Sequence, residues 1–317
     1  MKKDNPTVPE VLKSLAQLLG TAVNGRRLEI PRRFGRGYCT GFVFNEDIRM
    51  LISNYELKQD VHVKNVAANT AKRMLVFKFR NIFPQRAMPL TEKDRMPSVL
   101  IATSRINTDD VISIHTNTAT INIEVDAGYL SRLFDPSDRS PLLQSLLQNT
   151  QPFLFEQMIY PSLQKIVDEM LTEPINESFE LFFLRVKAEE LICRLLMELD
   201  KRDEGRLYAL NTEDIATIYR IKAQLLEHLE IPPVIKTLAV DAGMSPTKLK
   251  RLFKQIFGNS IFSYYQEFRM KEAALLLREK KYTVSDVGYR LGFSNLSHFS
   301  RVFEAHIGMK PKQYSML

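Results

Sequence analysis

Two stretches fifty residues apart constrain this chain more than any other feature. Phe253-Lys-Gln-Ile-Phe-Gly258 and Phe303-Glu-Ala-His-Ile-Gly308 superpose at that separation, which also aligns Tyr264 with Tyr314. Upstream, Ala239 and Gly243 align with Gly288 and Gly292 at a separation of 49. One extra residue therefore lies in the second copy's turn and early helix. Repetition of this kind implies two copies of one three-helix supersecondary unit in tandem.

Each copy reads as a helix-turn-helix on local chemistry. In the first, Pro233 suits an opening turn, Ala239 is small enough for a close helix crossing, and Gly243 permits the left-handed conformation that stops a helix. Ser245-Pro246 then starts the next helix, the serine as N-cap and the proline at the first helical position, where no amide is needed. In the second copy Thr283-Val-Ser-Asp286 has capping-box spacing, Gly288 is the small crossing residue, and Gly292 ends the helix. The second helix of that copy opens near Asn295. Leu238 to Phe257 and Val287 to Ile307 are the two units.

The second helix of each copy has one apolar face, Leu249, Leu252, Phe253 and Ile256 in the first and Phe299, Val302, Phe303 and Ile307 in the second. The opposite face carries Thr247, Lys248, Lys250, Arg251 and Lys254 in the first copy, and Asn295, Ser297, His298, Ser300 and Arg301 in the second. A polar face fixed against a small core is what major-groove readout requires. Arginines on helices are ordinarily solvated charges, but placement on repeated recognition faces favours DNA contact for Arg251 and Arg301. Lys248, Lys254, Lys310 and Lys312 suit phosphates or open solvent. Between the copies, Ser260 to Lys281 reads as one helix of roughly 22 residues and about 33 Å, close to the pitch of B-DNA. Such a spacer would let one chain read two blocks about 10 base pairs apart.

Charge follows the same division. Residues 220 to 317 hold 16 Lys and Arg against 8 Asp and Glu, so the whole excess of +7 lies in the last third and the remainder is nearly neutral. That distribution fits a polyanionic partner for the C-terminal part alone. No apolar run approaches the ~20 residues that cross a bilayer, and the first residues lack a signal-peptide core, so a cytoplasmic address without membrane contact is expected. Two distant cysteines, Cys39 and Cys193, encode neither a disulfide framework nor a zinc site, and His62, His115 and His228 lack metal-ligand spacing. No cofactor is expected.

Ahead of the repeat, the fold class is α+β. A short helix over residues 7 to 19 precedes aromatic and β-branched segments at Tyr38 to Phe44, Ile48 to Leu57, Met74 to Phe79, Val99 to Ile106, Val111 to Ile114 and Ala119 to Val125. These predict a mainly antiparallel β-domain, a small barrel or sandwich. Pro141 to Leu147, Phe153 to Leu171 and Ser178 to Lys201 then read as helices, and Lys201 to Arg206 as a charged linker. The expected organisation is a β-rich, effector-sensing domain over 1–135, a helical connector with a dimerisation role over 136–210, and an all-α domain with two helix-turn-helix units joined by a linker helix over 211–317. The Arg26, Arg27, Arg32, Arg33 and Arg36 cluster is read as a solvated edge in preference to an anion site, and the apolar face of Phe179 to Leu199 as intramolecular core or a dimer seam.

Leu238-Ala239, Gly243-Met-Ser245, Leu249-Lys-Arg-Leu-Phe253, Phe257-Gly258, Arg269 with Ala273 and Leu276-Leu277, Val287, Gly292-Phe293, His298-Phe-Ser-Arg-Val-Phe303, Gly308, Pro311 and Tyr314 together resemble the AraC/XylS class of bacterial transcription regulators. The resemblance covers roughly Ile218 to Tyr314. Gly288 stands where that class usually has alanine, and Ser315 where a basic residue is common. The resemblance implies Thr247, Lys250 and Arg251, then Ser297, His298 and Arg301, as base-reading positions. It also implies double-stranded DNA and RNA polymerase as partners, a small-molecule effector or homodimerisation through the N-terminal part, and activation as the usual outcome. Phe179 to Lys201 is similar to the helix preceding this domain in the siderophore-responsive branch. Two other classes compete. An enzyme domain addressed to DNA would need a nucleophile elbow, phosphate loop, metal cluster or Cys-His pair, none of which the sequence offers, so no enzyme is expected. An architectural DNA protein would need uniform phosphate contacts rather than mixed polar faces.

Overall fold

The computed structural model describes residues 8–58, 73–82, 97–103, 117–134, 140–150, 152–202, 208 and 210–316. The chain divides into two compact units, Met1–Thr212 and Glu213–Leu317.

In the first unit a short helix, α1 (Glu10–Leu18), precedes β1 (Arg27–Glu29), β2 (Gly35–Val43), β3 (Ile48–Leu57), β4 (Met74–Arg80), β5 (Ser98–Thr103) and β6 (Asn117–Asp126). Helices α2 (Ala127–Leu133) and α3 (Pro141–Gln148), strand β7 (Leu154–Met158), and helices α4 (Pro161–Thr172) and α5 (Glu177–Asp200) follow. The strands form one seven-stranded sheet in the order β1-β2-β3-β6-β4-β5-β7, with every pairing antiparallel. The expected barrel or sandwich is therefore corrected to an open sheet covered by helices. Alternation places Phe42, Met50, Ile52, Phe77, Phe79, Ile101, Ile121 and Ile123 in a core shared with Leu142 and Leu146 of α3, Leu163 and Val167 of α4, and Leu184, Leu191 and Leu195 of α5. Residues 136–210 accordingly do not stand apart from the sheet, since their helices supply half its core. Each such buried leucine contributes about 1.5–3 kcal/mol over leaving it exposed.

The opposite face is covered at one end by α1, whose Leu12 and Ala16 pack with Leu28, Cys39 and Leu57. Gly41 sits beneath it because an added Cβ would come within 2.6 Å of Pro9. Val11 and Leu18, on the outer side of α1, are exposed. Farther along this face Arg80 Nη2 donates to Glu156 at 2.8 Å, and Glu156 is only 2% exposed. A buried ion pair here had no signal in the sequence, its members lying 76 residues apart.

One further expectation changes. Phe153 to Leu171 was read as one helix, but Leu154–Met158 is a strand paired with β5, and the helix begins at Pro161. Proline at the first helical position marks that start. Arg27, Arg32, Arg33 and Arg36 are exposed, as a solvated edge requires, and their contacts stay within the unit: Arg27 with Glu29 and over Tyr38, Arg33 with the Leu19 carbonyl, and Arg36 with Glu56, while half-buried Arg26 pairs with Glu180. Val111 to Ile114, His62, His115 and most of the Lys201 to Arg206 linker lie outside the described residues.

The second unit is helical throughout its described residues: α6 (Thr212–Glu227), α7 (Ile235–Asp241), α8 (Pro246–Phe257), α9 (Ile261–Arg278), α10 (Val284–Arg290), α11 (Leu296–Ile307) and α12 (Pro311–Tyr314). The repeat is visible in its aromatic packing. Phe253 meets Tyr264 edge-on at 5.5 Å and 82°, and Phe303 meets Tyr314 at 5.6 Å and 72°. The linker helix α9 spans 18 residues, about 27 Å, rather than the longer span expected. It stops where Lys280 turns left-handed at φ 56°.

Candidate nucleic-acid interface

The helix starts and stops of both copies follow their local chemistry. Ser245 accepts from the Lys248 amide with Pro246 at the first helical position, while Gly243 takes φ 62° before it. In the second copy Thr283 and Asp286 form a complete capping box, and Gly292 takes φ 76°. Asn295 is the structural counterpart of Ser245: its side chain accepts from the His298 amide at 3.0 Å and caps α11. Both second helices end on left-handed glycines, Gly258 and Gly308.

These caps fix α8 and α11 against small aromatic cores, and their outer faces remain in solvent. Thr247, Lys250, Arg251 and Lys254 are exposed along one side of α8. Spaced three, one and three residues apart, they occupy one face of an α-helix. Lys248 turns away from them, its ammonium 2.8 Å from the Asp214 carboxylate of α6. On α11 the corresponding positions are Ser297, Ser300, Arg301 and Glu304, with His298 beside them. Ser297, His298 and Arg301 are exposed and Ser300 is half-buried. The His298 ring rests edge-on against Phe293 at 5.7 Å. Thus four of the five residues expected on α8 share a face, three of those expected on α11 are fully open, Asn295 serves as a cap, and Lys248 is ion-paired.

Two features were not read from sequence. Glu304 is exposed at the position matching Lys254, so the face of α8 is strongly basic while that of α11 is mixed. The 50-residue offset alone would have shown this. In addition, Gln266 of α9 joins His298, Arg301, Val302, Ala305 and His306 around an open groove of about 370 Å³, which carries no acidic side chain. His306 is exposed with Nδ1 2.8 Å from the Val302 carbonyl. Among the described residues no group of three or more His, Cys, Asp or Glu is placed to hold a metal ion, and no helix is long and apolar enough to cross a membrane.

Two capped helix pairs of this kind, tied by one helix and each presenting a polar outer face, define a double helix-turn-helix domain. Residues 238–316 match the family model described as a helix-turn-helix domain. Over 127 residues the chain is 28% identical to the HTH-type transcriptional activator RhaR of Klebsiella pneumoniae, covering 40% of this chain and 45% of that one. It is 34% identical over 80 residues to the arabinose operon regulatory protein of Escherichia coli K12, covering 25% and 27%. A solved AraC-type DNA-binding protein of Chromobacterium violaceum is 27% identical, covering 33% of this chain and 95% of that one, with a TM-score of 0.31. The chain thus spans less than half the length of the curated relatives it matches. Its C-terminal domain is of the AraC/XylS type.

Proposed function

We propose that the chain is a sequence-specific DNA-binding transcription regulator that acts by binding rather than catalysis and reads two successive major grooves with α8 and α11. The observation that carries this is the repeated outer face: side chains able to pair with base edges stand exposed on two helices built and capped in the same way. Thr247, Lys250 and Arg251, then Ser297, His298 and Arg301, are the proposed base readers, with Lys254 on phosphate. Arg251 and Arg301 have the fork that matches guanine O6 and N7. The relatives named as activators support activation, and RNA polymerase is the proposed second partner. Selecting bound sequences from a random duplex library at one stated salt concentration tests the reading. Enrichment of a defined motif is expected, and recovery of unenriched sequence would overturn it in favour of architectural binding.

For the N-terminal unit we propose self-association through α5. Phe179, Phe182, Val186 and Met197 are exposed although they are large and apolar, and Cys193 lies on the same stripe. Steps of three and four residues put Phe179, Phe182 and Val186 on one face of the helix, which Cys193 and Met197 continue, and such an uncovered apolar stripe suits a second helix of the same kind. A dimer in sedimentation that Phe182→Glu converts to monomer supports this. A monomeric wild-type protein at micromolar concentration contradicts it.

A further inference from the structure

The loop between α6 and α7 belongs in sequence to the first helix-turn-helix copy, yet its backbone rests on the second. Residues 228–231 form a turn in which the Ile231 amide donates to the His228 carbonyl at 3.1 Å. The Leu229 side chain packs against the core built by Met270, Ala273, Val287, Leu291, Phe293 and Phe299. Tyr265 of the linker helix, fully buried, donates from Oη to the Leu229 carbonyl at 2.6 Å. The Glu230 carbonyl oxygen lies 2.1 Å from the point where a Cβ on Gly292 would stand.

The repeat supplies its own control. Gly243 occupies the same place in the first copy with the same left-handed backbone, and nothing lies within 4 Å of its virtual Cβ. A left-handed φ therefore explains a glycine at both positions, but only Gly292 is also required by a close backbone approach. The contact is not part of the helix-turn-helix design, because the other copy does without it.

We propose that residues 228–231 are a latch that holds the second copy against the first, with Tyr265 and Gly292 as the positioning residues that set the spacing between α8 and α11. A single linker helix leaves two docked copies free to bend and twist about its ends. A second attachment closes the chain on itself and removes that freedom. The latch rests on the two-groove reading, for which it supplies the rigidity: when one copy is bound, the effective concentration of the other at its block depends on how narrowly their separation is held.

The test uses the full-length protein in four forms: wild type, Tyr265→Phe, Gly292→Ala and Gly243→Ala. Without DNA, hydrogen exchange of the amides at residues 229–231 reports the latch directly. Exchange there should rise about tenfold in Gly292→Ala and Tyr265→Phe and stay at the wild-type rate in Gly243→Ala. With DNA, a two-base-pair insertion between the blocks should weaken the wild type and Gly243→Ala about tenfold, but the two latch variants less than about threefold, because a looser pair tolerates a wrong spacing. Affinity for a single block should remain within about twofold of wild type in the latch variants. Equal exchange at residues 229–231 in Gly292→Ala and Gly243→Ala would overturn the latch whatever the DNA result. Faster exchange with an unchanged insertion penalty would overturn its positioning role. A wild-type protein that prefers no DNA sequence would overturn the functional reading instead, and the exchange comparison would still decide the latch.

Discussion

The guanidinium of Arg269 lies 4.0 Å from the ring centroid of Phe293 and donates through Nη2 to the carbonyl of Leu291. One buried side chain of the linker helix thereby satisfies the end of α10 and covers the turn that follows it. Burial lowers its pKa, yet an arginine starts so high that it stays charged. A lysine has neither the planar fork nor the stacking face. Arg269→Lys should therefore destabilise the C-terminal unit by about 2–4 kcal/mol, since a buried charge loses part of its pairing and a carbonyl loses its donor. Denaturant unfolding of the two proteins gives the difference directly.

The capping box makes an acid-sensitivity prediction. Hydrogen bonds from the Thr283 side chain and backbone hold the Asp286 carboxyl below its ordinary value of 3.8. A depressed carboxylate contributes stability that is complete above its unfolded pKa and is lost as pH falls through the folded one. Thermal unfolding should therefore separate wild type from Asp286→Asn at pH 7, and the gap should close as the pH falls below the ordinary carboxylate value. A gap that persists unchanged in acid would show that the carboxylate's charge plays no part.

The difference between the two outer faces should appear in binding. Arg251→Ala and Arg301→Ala should each cost about 1–3 kcal/mol on the preferred site and relax preference at particular base pairs. Lys254→Ala should weaken all sequences alike and reduce the salt dependence by about one counterion. Because α11 carries Glu304 where α8 carries Lys254, neutral substitutions on α8 should alter the salt slope more than those on α11. Affinities across a salt series with shuffled sites separate these outcomes.

The two cysteines should react at different rates. Cys39 is fully buried, and burial raises its pKa to about 11, whereas Cys193 is exposed. In the Phe182→Glu protein, where the proposed α5 seam is open, an aromatic disulfide reagent at pH 8 should titrate Cys193 in the folded state and Cys39 only on unfolding. Rapid labelling of both would mean that α1 does not stay packed over β2.

What could be read from sequence was what neighbouring residues decide. Ser245-Pro246, Thr283 with Asp286, and the glycines at 243, 258, 292 and 308 act within a few residues, so the helix ends of both copies were legible, and the outer faces followed from helical spacing. The open sheet was not, because the order of its strands depends on pairings such as Met74 with Asp126, which no local pattern encodes. Leu154–Met158 was lost inside a longer apolar run whose helical part begins only at Pro161. From sequence Lys248 suits a phosphate or open solvent, because its partner, Asp214, lies 34 residues away on another helix. The approach of Glu230 to Gly292 joins positions farther apart still, and the glycine alone announced only a turn.

Footprinting on spacer variants tests the central claim most directly. A pair of recognition helices held at one separation should protect two blocks about 10 base pairs apart on one face of the duplex. Inserting five base pairs rotates one block by about half a turn, so the account predicts loss of protection at one block and a large fall in affinity. Equal affinity with both blocks still protected would contradict it, and would mean that the two copies bind as flexibly tethered units.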